Sequence, residues 1–219
     1  MNTKTDAQIQ HDVMAELQWE PSVNATHIGV EVKNGIVTLL GHVDSYTEKW
    51  NAERAAQRVS GVKAIAVQME VNIPSIHKRN DVDIAMSADN VLNWTTDVPN
   101  DAVKIMVENG WLSLNGEVTW EYQRHAAESA LRRILGVKGI TNKISIKPKF
   151  KFNAIKTDIE NALKRISNVD THGIVIEVDG ADVNLKGTVH SWLERDLIKK
   201  SAWSTPGVRN VKDNIAVTF

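Results

Sequence analysis

Apolar positions along this chain of 219 residues change their period in a fixed order, and that order recurs three times. Each round opens with helical spacing: Ile9, Val13 and Leu17 first, then Ile84, Ala88 and Leu92, then Ile155, Ile159 and Leu163. The period then drops to two. Ile28, Val30 and Val32 alternate, Asn34-Gly35 interrupts, and Val37 and Leu39 alternate again. Val103, Ile105 and Val107 repeat the run, with Asn109-Gly110 before Leu112 and Leu114. Asn-Gly tolerates the two positive φ angles of a type I′ turn, so both runs predict hairpins. The third copy reads Asp179-Gly180 with one extra residue, which predicts a bulged turn. A second helical stripe follows, Ala52, Ala56 and Val59 matched by Ala127, Leu131 and Ile134. A last strand closes each round over 64–72, 139–147 and 210–219.

Fixed spacings make the triplication firm. Gly41, Gly116 and Gly187 each precede Gly61, Gly136 and Gly207 by 20 residues, and Leu17, Leu92 and Leu163 precede the first set by 24. Each later glycine opens a Gly-Val-Lys or Gly-Val-Arg turn, where glycine suits the left-handed end of a helix. Ser45 with Glu48 and Ser191 with Glu194 form capping-box patterns at the second helix, whereas the second copy has Trp120 and Gln123 there. The predicted fold is α+β: three tandem αββαβ modules over 5–73, 78–147 and 151–219. In each, two helices cover one face of a three-stranded mixed sheet, because a hairpin followed by a helical crossover puts the last strand parallel to its neighbour. The joints are Asn72-Ile73-Pro74-Ser75 and Lys147-Pro148-Lys149. A module of this size is near the lower limit for an independent core, so docking between copies is expected.

Charge and composition remove several functions. With 26 basic and 27 acidic residues the net charge is −1, which disfavours nucleic acid as a partner. The first copy is the most acidic, with six basic residues against nine acidic over residues 1–75. No cysteine is present, so disulfides and thiolate metal sites are excluded. No run reaches the ~20 apolar residues that span a bilayer. The opening residues carry no secretory pattern, so a native Met1 predicts a cytoplasmic protein, and a chain whose leader has been removed predicts a periplasmic one. Seven histidines (among them His27, His42, His172 and His190) lack paired zinc-ligand spacing and read as loop residues. Ser45 and Ser191 already serve as caps, and Asp12, Glu16 and Glu20 read as a solvated helix face. Gly136-Val-Lys-Gly139 matches an RNA-binding GxxG loop, yet the parallel copies reveal it as a helix stop. No constellation meets the requirements of an active site, so no catalytic residue, cofactor or metal is assigned.

The strands leading to the three marker glycines, the valines two positions later (Val43, Val118, Val189) and the Gly-Val-[Lys/Arg] turns resemble the BON family, the bacterial OsmY and nodulation domain. That resemblance covers almost the whole chain and implies a non-enzymatic module. It includes periplasmic osmotic-stress proteins, lipoproteins that associate with anionic phospholipid, secretin domains and a potassium-binding protein. The expected function is therefore a stress-associated binding or adaptor protein acting through weak multivalent contacts. The alternatives are a potassium or calcium sensor and a peripheral phospholipid binder, with another protein, a small ligand or cation, or a lipid surface as the partner. Two features stand out as a candidate binding surface. Lys49, Arg124 and Arg195 share one position early in the second helix, where a cation opposes the helix dipole. Surface pairing with Glu48, Glu121 or Glu194 is the plainer account, and an anion site the sharper one. Trp111 and Trp120 occupy a strand start and a helix cap, for which inter-module packing is the expected use.

Overall fold

The computed structural model describes residues 4–148, 154–165 and 173–218; Lys149, His172 and Phe219 lie outside these. The first module runs α1 (Asp6–Trp19), β1 (Ile28–Lys33), β2 (Ile36–Val43), α2 (Tyr46–Arg58) and β3 (Ala64–Val71). The second runs α3 (Asp81–Asn93), β4 (Val103–Glu108), β5 (Trp111–Val118), α4 (Glu121–Leu131) and β6 (Gly139–Ile146). The third runs α5 (Ile155–Lys164), β7 (Ile174–Asp179), β8 (Asp182–Val189), α6 (Trp192–Trp203) and β9 (Asn210–Val217). Each module has its own three-stranded sheet with the second strand in the middle, antiparallel to the first and parallel to the third.

Both helical stripes of each module bury against one sheet face. Ile9, Val13 and Leu17 of α1 and Ala52, Ala55 and Ala56 of α2 pack with Val37 and Leu39 of β2. Equivalent clusters fill the other two modules. The second helix ends at Arg58, Leu131 and Trp203, earlier than the Gly-Val turn predicts. Gly61 and Gly136 instead shape the return to the last strand, close against Ile9 and Ile84 of the first helix. The third hairpin is not bulged: Asp179 pairs with Asp182 across a two-residue turn, Gly180-Ala181. The glycine has moved to the first turn position, where its φ is +59°.

The marker glycine before the second helix is irreplaceable for a steric reason. Gly41, Gly116 and Gly187 all have positive φ. A Cβ on any of them would overlap a carbonyl oxygen, that of His27, Ala102 or Gly173.

The modules dock in a cycle through their second helices. Tyr46 at the start of α2 packs on the second module's core, and the Thr47 hydroxyl donates to the Arg132 carbonyl at 3.0 Å. The Arg132 guanidinium lies 4.0 Å from the Trp50 ring centre. At the start of α4, Arg124 lies 5.0 Å from the ring of Trp203, which packs on the cores of both the second and third modules. At the start of α6, the Trp192 indole donates to the Val62 carbonyl at 2.7 Å, and Asp196 pairs with Arg54 at 2.9 Å. Each second helix thus offers its N-terminal end to another module, and the cycle closes on itself.

Candidate functional site

The shared cation position reaches the outer edge of its own module's last strand. Lys49 Nζ donates to the Met69 carbonyl at 2.9 Å. Arg195 Nε donates to Asp213 Oδ2 at 3.0 Å, and Asp213 Oδ1 accepts the Ile215 amide at 3.1 Å. In the second module the equivalent acceptor is Asn142 Oδ1, which takes the Ile144 amide at 3.1 Å while its Nδ2 donates to the Arg124 carbonyl. Met69, Ile144 and Ile215 hold one register position beside the marker glycines. Each of the three edges therefore has an outward peptide group engaged by a side chain. Side-chain engagement of edge groups hinders an added strand. The three cations do not gather around a common anion: Arg124 pairs with Glu121, Nη2 to Oε1 at 2.8 Å and Nε to Oε2 at 2.6 Å. The Glu121 pairing is the one surface pair of the plainer account that forms.

The two candidate tryptophans hold different kinds of position in the second module. Trp111 lies on the outer sheet face, about half exposed, with its indole donating to Thr141 Oγ1 at 2.8 Å. Its ring covers Gly139, where a Cβ would stand 2.5 Å from the ring. Trp120 is the half-buried N-cap of α4. The missing hydroxyl cap is offset by Gln123, whose Oε1 accepts the amides of Thr119 and Trp120 at 3.0 and 3.1 Å. Trp50, Trp192 and Trp203 make inter-module contacts.

Sequence reasoning missed Arg132 at that junction. Its place and those of Gln57 and Trp203 are equivalent in the three copies. Core positions repeat the same residue class, whereas these vary among large side chains, which is the signal of a contact that differs from copy to copy. A second omission is the first helical residue. Asp6 accepts the Asn34 and Gly35 amides at 2.7 and 2.9 Å, and Asp81 accepts those of Asn109 and Gly110 at the same distances. Their identical offset in two copies could have revealed it.

Burial sets the electrostatics of the junction. It raises the carboxyl pKa of Glu53, with Lys49 and Arg132 opposing, and that of Glu121, with Arg124 opposing. Burial also raises the Tyr46 phenol, assisted by Glu128. Among the described residues no group of three His, Asp or Glu side chains is placed to hold a metal, and no helix is long and apolar enough to cross a membrane. The His27 and His42 rings stack with centroids 4.5 Å apart. A groove of about 720 Å³ beside the first joint is lined by Lys78, Arg79 and Lys138, and Asp81 supplies its carboxylate from within the chain.

Side chains tied to backbone geometry, edge protection and module docking define a class of tandem α+β scaffold. The sequence profile of the BON domain matches residues 5–73, 80–148 and 153–218, and the chain belongs to that family. It is OsmY-like: osmotically-inducible protein Y of Escherichia coli (strain K12) is 26% identical over 156 residues, covering 67% of this chain and 75% of that one. Family and relative point to a non-catalytic, stress-associated protein. CdsD, a structural protein of the type III secretion system of Chlamydia trachomatis, aligns in a solved structure over 95% of this chain and 91% of its own, at 15% identity and a TM-score of 0.26. A structure of its C-terminal domain aligns over 99% of this chain at 15% identity and a TM-score of 0.27. Neither overlay adds to the fold assignment.

Proposed function

We propose that this protein is a non-enzymatic adaptor of the osmotic-stress response, binding a protein partner through weak contacts on several modules at once. The observation that carries the reading is the division of surfaces. Second helices are occupied in the closed docking cycle, while the outer sheet faces stay open and differ from module to module. The first face is apolar around Ile36 and Leu40, the second carries Met106 and Trp111, and the third carries Glu177 paired with Lys186 at 2.7 Å. Linked weak sites raise effective concentration without any one site being strong. Likeness to an osmotically inducible protein supports the stress setting and favours the periplasmic over the cytoplasmic placement.

The test is cross-linking in osmotically shocked cells, with L40D, W111A and K186E altering one outer face each. Graded loss from each single change, multiplying in the triple variant, is the expected result. Complete loss from one change alone, or retention in the triple variant, would refute the multivalent reading. The cation-sensor reading predicts instead a melting temperature that rises with potassium or calcium, and the phospholipid reading predicts salt-sensitive sedimentation with anionic vesicles.

A further inference from the structure

The open edge of the second module stands apart from the edges whose protection is described above. In β4 the residues Lys104, Met106 and Glu108 pair with Asn115, Ser113 and Trp111, and the Glu117 amide donates to the Ala102 carbonyl at 3.2 Å. That phase turns the peptide groups of β4 at Ile105 and Val107 outward, away from β5. In the first module the equivalent outward carbonyl, that of Val30, accepts from the Gln10 side chain of α1 at 2.7 Å. The position of Gln10 is Ala85 in α3, which is too short to reach. Among the described residues no side chain hydrogen-bonds to the outward groups of Ile105 or Val107.

Around this edge the second module exposes apolar side chains that the first lacks. Met106 is 56% exposed, and Val82 and Met86 of α3 are 67% and 63% exposed. Their counterparts in the first module are Glu31, Ala7 and His11. The outer face of β4 is also self-complementary. When two copies of β4 run antiparallel about a two-fold axis at Met106, Lys104 faces the partner's Glu108, and Ile105 and Val107 face each other with their outward peptide groups in hydrogen-bonding phase. Opposite charges directly across a strand pair stabilise it, and like charges oppose it. The other first strands fail this test: the same arrangement sets Glu31 of β1, or Glu177 of β7, against itself.

We infer that the β4 edge and the adjoining flank of α3 are a docking surface for a second copy of this chain, joining two sheets into one of six strands. Ala85 leaves room for the two α3 helices to approach, and Val82 and Met86 become covered by the pairing. The surface lies on the opposite side of the module from α4, which is held in the docking cycle, so the dimer leaves that cycle intact. An extended peptide of another protein would use the same backbone groups, but the matched Lys104 and Glu108 favour the identical strand.

The experiment is sedimentation equilibrium of the full chain over a wide concentration range. The expected result is a reversible rise from monomer to dimer mass. K104E and E108K each place like charges across the two-fold and weaken self-association about ten-fold, from two altered pairs per dimer. The double variant K104E/E108K restores it. A85Q, which installs the edge guard found on α1, removes the dimer while circular dichroism and melting stay unchanged. A monomer at every concentration, or a dimer indifferent to the single charge changes, overturns the inference, and peptide binding by a strictly monomeric chain would overturn it equally.

Discussion

Glu48 gives the sharpest test of how backbone geometry is fixed in these modules. The residue is 9% exposed, and its carboxylate accepts two amides, Asn24 to Oε1 and Asp44 to Oε2, both at 2.8 Å. It thereby ties the loop before the hairpin to the turn that opens α2, whose cap is the Ser45 hydroxyl at 3.1 Å from the Glu48 amide. Replacing Glu48 with alanine strands both donors. A hydrogen bond to a charged group contributes ~1.5–3 kcal/mol. Taking the low end for two partly buried donors gives a loss of about 3 kcal/mol, near a hundred-fold in the local opening equilibrium. Glutamine is the informative control, because Gln123 already works at this position with a single acceptor oxygen serving two adjacent amides. E48Q keeps an acceptor for Asp44 and loses the one for Asn24, a loss of about 1.5 kcal/mol or ten-fold. Amide hydrogen exchange resolves this residue by residue, without assuming that three modules unfold together. E48A should speed exchange at both Asn24 and Asp44, and E48Q at Asn24 alone. Equal effects of the two substitutions, or an unchanged Asn24, would refute the account.

Three further outcomes follow from the same structure. Gly41→Ala combines a positive φ with overlap on the His27 carbonyl and should destabilise the first module by more than ~3 kcal/mol, read as an early separate transition in thermal unfolding. Trp192→Ala and Trp203→Ala each remove one of the two anchors of α6, so small-angle scattering should show a larger radius and protease should cut sooner near the second joint, with the helical signal retained. Burial raises the pKa of Glu53 and Glu121, so their folded values lie above the unfolded ones and their charged forms oppose folding at neutral pH. Stability contributed by these groups should rise as pH falls from 7 through the raised values toward the ordinary carboxylate pKa of about 4.3, and Glu53→Gln should flatten that rise in a pH series of urea melts.

Module architecture was legible because it rests on local chemistry. Helical and strand periods, Asn-Gly turns and a glycine no other residue can replace all leave fixed spacings in one dimension. The third hairpin was misread for the same reason: Asp-Gly looked like the Asn-Gly pair, but the glycine of Gly180-Ala181 serves the first turn position instead of the second. The candidate surface was harder. Lys49, Arg124 and Arg195 share a position, but only Arg124 meets the local partner its helix offers, Glu121, while Met69 and Asp213 stand 20 and 18 residues along the chain, at distances that no local pattern encodes. Trp50, Trp192 and Trp203 stand at different module positions, so no repeated residue marks the docking cycle, and only the variation at an aligned place such as that of Gln57, Arg132 and Trp203 could have marked it.

Edge protection explains why a cation persists where the helix dipole opposes it. A lone charge at an exposed helix start loses only a few tenths of a kcal/mol to the dipole. An unguarded parallel edge leaves a row of peptide groups free to pair with other chains, a hazard that three sheets in one chain multiply. Lys49 meets it directly and Arg195 through Asp213, so in the first and third copies the position is kept for what lies above it on the last strand, whereas Arg124 lends only its backbone carbonyl and turns its guanidinium to Glu121. Among the described residues the first strands carry no shared device: Gln10 guards β1, and the place is Ala85 in α3. Copies of one module have thus diverged at the position that decides whether a sheet stays closed, and that divergence coincides with the Lys104, Met106 and Glu108 face able to pair with itself. A guard lost by drift would leave the flanking side chains polar, as Glu31 is in the first copy. Exposed Met106, Val82 and Met86 beside the gap therefore argue for use of the edge.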